Sequence, residues 1–115
     1  MTNTKSVKAK GRRLQNQVRD LLRKAFSFLH GDDIKSQTMG MGGEDIILSP
    51  AARKVIKYSF ECKNVEKINI WSAINQAESN CEDRVPVVVM KKNRRNPYAV
   101  LPLDEFIRLI EKYER

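Results

Sequence analysis

Two acids and one lysine carry the most pointed chemistry in this sequence. Asp45 follows a glycine-rich segment, MGMGG, and Glu44; sixteen positions later comes the triplet Glu61-Cys62-Lys63 within YSFECKN. Side chains alternate along a strand, so Glu61 and Lys63 share one face and Cys62 turns to the other. If the strand that carries Asp45 pairs as a hairpin neighbour, two carboxylates and an ammonium converge on one patch of sheet. Adjacent carboxylates repel and raise each other's pKa, a cost that a divalent cation removes. Two carboxylates with waters and a substrate phosphate are a hard-oxygen set of the kind that holds Mg²⁺. Such an ion acidifies a bound water and stabilises charge on a phosphate under attack, and Lys63 would orient the nucleophile and offset negative charge. A bare Glu-x-Lys is also what a salt bridge on a solvated sheet face looks like. The metal reading therefore leans on Asp45.

The elements that must position these residues follow from hydropathy. From Lys10 to about Leu29, Leu14, Val18, Leu21, Leu22, Ala25 and Leu29 recur at helical spacing, with Arg12, Arg13, Arg19, Arg23 and Lys24 largely off the stripe. Residues 1–9 read as a flexible basic tail. Ile34–Thr38 fits a short strand, residues 39–43 a flexible connection, and Glu44–Ser49 an alternating strand ended by Pro50, with PAARK as a turn. Lys54–Asn64 is the clearest strand. A helix fits Asn69–Cys81, and the continuous apolar run Val85–Met90 suits an interior strand covered on both faces. The segment 91–97 (KKNRRNP) reads as a basic hairpin loop, Tyr98–Leu101 as a strand, and Pro102 with Asp104 opens a last helix. This order predicts one α/β domain over residues 10–115, a central mixed sheet flanked by helices.

Charge narrows the partner. Of 115 residues, 22 are Lys or Arg and 14 Asp or Glu, a net charge of +8. Residues 1–30 hold 8 bases against the single acid Asp20, whereas the remainder holds 14 bases and 13 acids. A polyanionic partner is expected. No apolar run approaches the roughly 18–20 residues of a membrane span, and MTNTKSVKAKGRR lacks the apolar stretch of a secretory signal. Two cysteines make neither a disulfide framework nor a four-ligand zinc site. A cytoplasmic chain with no membrane partner is the expectation.

Asp45 within GGEDIIL and Glu61-Cys62-Lys63 within YSFECKN resemble the PD-(D/E)xK nuclease superfamily over roughly residues 10–110. Within it the chain looks most like the small Holliday-junction resolvases of archaeal type and their phage-encoded relatives, which share a Lys-Gly opening to a basic first helix and a Ser- and Gly-containing loop before the Asp. The resemblance implies a restriction-endonuclease-like fold and a Mg²⁺-dependent endonuclease of branched DNA, with Mn²⁺ able to substitute. It implies metal ligands at Asp45, Glu61 and the Cys62 carbonyl, with Gln15 as a weaker ligand, and catalytic roles for Asp45, Glu61, Lys63 and Gln76. It also implies phosphate contacts from Ser36 and Gln37, to which the basic residues Lys10, Arg12, Arg13, Arg19, Lys91, Lys92, Arg94 and Arg95 add, and a homodimer, because a four-way junction needs two cuts. Two positions depart from the pattern: Glu44 stands where the superfamily name has Pro, and Gln15 stands where the resolvases carry a helix-1 Glu. Two other readings stay open. One is a related nuclease of flaps, nicks or linear duplex; the other is a nucleic-acid-binding module without catalysis.

Overall fold

β-Branched residues fit extended backbone and pack well on both faces of a pleated sheet, and the valines of the run Val85–Met90 take the centre of the sheet. The computed structural model describes residues 4–38 and 40–114. Along it run α1 (Thr4–Ala25), β1 (Ile34–Ser36), β2 (Ile46–Leu48), α2 (Pro50–Val55), β3 (Tyr58–Asn64), α3 (Ile70–Asn80), β4 (Val85–Lys91), β5 (Tyr98–Val100) and α4 (Leu103–Tyr113). β4 lies between β3, to which it is parallel, and β5, to which it is antiparallel. This is the expected mixed sheet, with helices against it. Val87 and Val89 join the main core with Leu14 and Val18 of α1, while Val88 packs with Ala73 and Ala77 of α3 on the opposite face. β1 and β2 form a separate antiparallel pair whose Ile34, Ile46 and Leu48 are buried in the main core.

Several boundaries differ from the pattern reading: the first helix ends at Ala25 rather than about Leu29, and the strands expected over Ile34–Thr38 and Glu44–Ser49 shorten to Ile34–Ser36 and Ile46–Leu48. α1 begins at Thr4, so residues 4–9 are helical rather than a flexible tail; Lys and Ala there are good helix formers. Residues 1–3 of that expected tail, and Met39 of the expected glycine-rich connection, lie outside the described residues. PAARK is not a turn but the body of α2. Ser49 caps it, its Oγ accepting from the Ala52 N–H at 3.1 Å and donating to Asp33 Oδ1 at 2.6 Å. Pro50 takes the first helical position, where a missing N–H costs nothing. β3 consequently starts at Tyr58, not Lys54.

α4 stands apart from both cores. None of its residues is buried, and Leu103, Phe106, Ile107, Ile110 and Tyr113 share one exposed apolar side. Its tether is polar: the Tyr58 hydroxyl donates to Glu105, which also receives Arg108 Nη2 at 2.7 Å. No helix among the described residues is long and apolar enough to cross a membrane. Tyr58→Phe removes the tether and is expected to speed amide hydrogen exchange across α4 by roughly tenfold while leaving exchange in β4 unchanged, as read by mass spectrometry.

Candidate active site

β2 does not extend the main sheet, so Asp45 is brought to β3 by two individual bonds. Its N–H donates to the Phe60 carbonyl at 3.1 Å, and its Oδ2 accepts from the Cys62 N–H at 2.6 Å. Alternation along β3 then sets Glu61 on the face beside it, where the two carboxyl groups hydrogen-bond to each other. The Glu61 side chain is only 3% exposed, and its Oε1 lies 3.7 Å from Lys63 Nζ, which is one-third exposed. Glu61 Oε2 is buried and has no hydrogen-bond partner.

Electrostatics follow from this packing. Burial, then the Asp45 charge, raises the Glu61 carboxyl to about 7, with Lys63 opposing. Burial also raises Asp45, against the Cys62 N–H, the bond from Glu61 and the Lys63 charge, all of which pull it down. Near neutrality the pair can therefore hold one proton between them, Glu61 donating to Asp45, as expected when two carboxylates share a poorly solvated place.

The neighbouring Glu44, which reads from the sequence as solvated, is instead a buried clamp. Its side chain is 10% exposed and pairs with Arg84, itself 3% exposed. It also accepts from Ser59 Oγ at 3.1 Å and from Arg53 Nη2 at 3.4 Å. One carboxylate thus joins α2, β3 and the turn before β4, immediately ahead of Asp45. Arg84 had no signal in the pattern, since its partner is 40 positions away. Asn80 was also missed: its Nδ2 donates to the Gly43 carbonyl at 3.2 Å and its side chain bonds Glu61. It lies one helical turn beyond Gln76, which was the expected α3 contributor. Gln76 is exposed, and among the described residues no hydrogen bond or ion pair joins its side chain to either acid.

The other expected residues divide. Gln15 is 5% exposed with Oε1 unpartnered, so it is an interior acceptor. The Gln37 N–H donates to the Asp45 carbonyl at 2.8 Å, while its side chain turns away, accepting from the Thr38 N–H at 3.0 Å and donating to the Gly42 carbonyl at 3.4 Å. Ser36 Oγ donates to Asn16 Oδ1 at 2.8 Å. Arg12, Arg13, Lys92, Arg94 and Arg95 are exposed. Lys10 is not a free cation: its side chain is 13% exposed and meets Glu66 Oε2 at 3.4 Å, while its carbonyl accepts from Asn64 Nδ2. Arg19 is spent locally on Asp20 at 2.9 Å and Asn16 at 3.2 Å, and Lys91 Nζ donates to the Lys92 carbonyl. The Cys62 side chain is buried in the main core, away from the acids.

Among the described residues no three His, Cys, Asp or Glu side chains gather as a metal cluster. The oxygens present are the two carboxylates, one of them with an orphaned atom. That set fits a hard cation that keeps most of its waters and does not fit zinc. Comparison with protein-family models, curated proteins and solved structures finds no match.

The raised Glu61 carboxyl has a definite sign for stability. Between the ordinary 4.5 and about 7 the folded chain keeps a proton that the unfolded chain has released, so stability falls as pH rises through that window and stays lower above it. Glu61→Gln is expected to raise the melting temperature by several degrees at pH 8 and to change it little at pH 4.5, measured by circular dichroism.

Proposed function

We propose that this chain is a Mg²⁺-dependent DNA endonuclease of the PD-(D/E)xK kind, with a restriction-endonuclease-like arrangement, acting on branched DNA and on four-way junctions in particular. One observation carries the reading. Glu61 Oε2 is a buried acceptor without a partner, beside Asp45 and within reach of Lys63. Leaving such an atom unpaired costs about 1–3 kcal/mol or more, and a cation bound between the carboxylates would relieve it.

Asp45 and Glu61 would hold Mg²⁺, with the Cys62 carbonyl and, more weakly, Gln15 as further oxygen donors; Mn²⁺ suits the same set. When bound, the ion supplies charge neutralisation at the scissile phosphate and a more acidic water. The Cys62 N–H and Asn80 hold the two carboxylates in place, and the Glu44–Arg84 clamp fixes the backbone entering Asp45. Lys63 places a positive charge where the pentacovalent phosphate gathers negative charge, and its ammonium orients the attacking water. Water gives up a proton to solvent as it adds to phosphorus, the bond to the leaving sugar oxygen breaks, and that oxygen takes a proton from solvent. The exposed Arg12 and Arg13 of α1 and Lys92, Arg94 and Arg95 of the 91–97 loop supply phosphate contacts, which position DNA without reading its sequence. Lys10 and the Asn93 N–H meet on Glu66, so these two cationic surfaces are joined.

Symmetric cutting of a junction needs two centres, and the exposed side of α4 offers a face for a second copy.

Two experiments test these points. On four-way junction, flap, nicked and linear DNA presented side by side with Mg²⁺, the unmutated chain is expected to place paired nicks across the junction. Lys63→Ala and Asp45→Asn should bind the junction with unchanged affinity and cleave it at least a hundredfold more slowly, roughly the scale of a lost charge-stabilising group. Absence of Mg²⁺- or Mn²⁺-dependent cleavage of every DNA sinks the enzyme reading, and preference for linear or flap DNA sinks the resolvase. For the dimer, Ile107→Asp should shift the sedimentation coefficient to that of a monomer with an unchanged circular dichroism spectrum, and convert paired cutting to single nicks.

A further inference from the structure

β3 and β4 end side by side at Asn64 and Lys91, and the Val65 N–H still donates to the Lys91 carbonyl at 3.1 Å. Beyond that bond the two chains part, one into the approach to α3 and the other into the 91–97 loop. Between them lies a groove of about 490 Å³, lined by Ile68, Ile70, Met90 and Tyr98, with Lys92 and Arg95 also in its wall. Tyr98 is 57% exposed, a ring left partly uncovered on an apolar surface. Glu66, the groove's one carboxylate, accepts from the Asn93 N–H at 2.7 Å and from Lys10 Nζ at 3.4 Å. Its charge is thereby compensated within the protein and does not stand alone against an incoming anion.

An aromatic ring on an aliphatic surface, next to two cations, matches the needs of an unpaired nucleotide. Every base has a face that stacks, and every base brings a phosphate. A paired base in a duplex hides that face. The groove also lies along the strand that carries the catalytic triplet: Val65 follows Lys63 by two residues and Glu61 by four. At about 3.3 Å per residue this is roughly 13 Å from Glu61, a reach of a few nucleotides. We propose that this groove takes an unpaired nucleotide flanking the cut, its base against Tyr98 and the aliphatic lining and its phosphate between Lys92 and Arg95. The inference rests on the reading of the chain as a DNA-acting enzyme and says what the chain recognises at a branch.

Fluorescence anisotropy with a fluorescein-labelled duplex bearing a short single-stranded thymine arm, beside the same duplex blunt-ended, tests it. The unmutated chain should bind the armed duplex more tightly. Tyr98→Ala should lower affinity for the armed duplex by about tenfold and leave the blunt duplex unchanged, Tyr98→Trp should restore the preference, and Arg95→Ala should weaken the armed duplex more than the blunt one. Melting curves check that the exposed Tyr98 variants fold. Equal affinity of the unmutated chain for both DNAs, or Tyr98→Ala behaving as the unmutated chain does, overturns the groove. Mg²⁺-dependent cleavage measured on the same DNAs separates the two readings. Cleavage without a Tyr98-dependent preference overturns the groove alone, and a Tyr98-dependent preference without cleavage overturns the nuclease and leaves the groove standing.

Discussion

The bond from the Cys62 N–H to the Asp45 carboxylate is the contact on which the rest of the site depends. β1 and β2 form their own small sheet, so no continuous ladder joins them to β3. A side chain takes the place of a ladder carbonyl at 2.6 Å, and the main-chain bond to Phe60 completes the junction. A charge-assisted bond of this kind is stronger than a neutral one. The same carboxylate that would hold a cation therefore also helps to hold the two sheets together, and its geometry is set before any ligand arrives.

The neighbouring residue reinforces that arrangement from the other side of the backbone. Glu44 gathers Arg84, Arg53 and Ser59, and consecutive acids point to different partners because extended backbone sends them to opposite sides. Burying the Glu44–Arg84 pair is costly unless each charge finds its counterpart. Here the carboxylate is met on both oxygens. What results is a rigid approach to Asp45, in a chain whose preceding segment passes through Gly40 and Gly43 at positive φ, where only glycine fits without strain.

Much of this was legible in the residues. Alternation along YSFECKN separates the acid face from the core face of β3, and the unbroken run at Val85 marks the strand covered on both sides. The local features that escaped were those in which one residue type does two jobs. Ser49-Pro50 reads as a strand stop, yet it is equally a cap followed by a first helical position, and α2 took that option. The tertiary features that escaped carry no periodicity. Arg84 lies 40 positions from Glu44, and nothing local announces that they meet. Gln76 and Asn80 stand one turn apart on the same helical side, so the spacing that suggested the first applies as well to the second. Lys10 illustrates the reverse error, since a lysine on a basic helix gives no sign that a distant Glu66 will claim it.

Cys62 shows what one strand's thickness can do. It sits between Glu61 and Lys63, and a thiol flanked by two ionisable side chains is exposed, in principle, to oxidation and alkylation. Alternation turns it into the core, where burial first and the charges of Asp45 and Glu61 next push its pKa up and so suppress the thiolate. The thiolate is the reactive form, so the acids that would bind the cation also keep the neighbouring sulfur inert. A residue of high intrinsic reactivity is thus tolerated within the site as simple packing material.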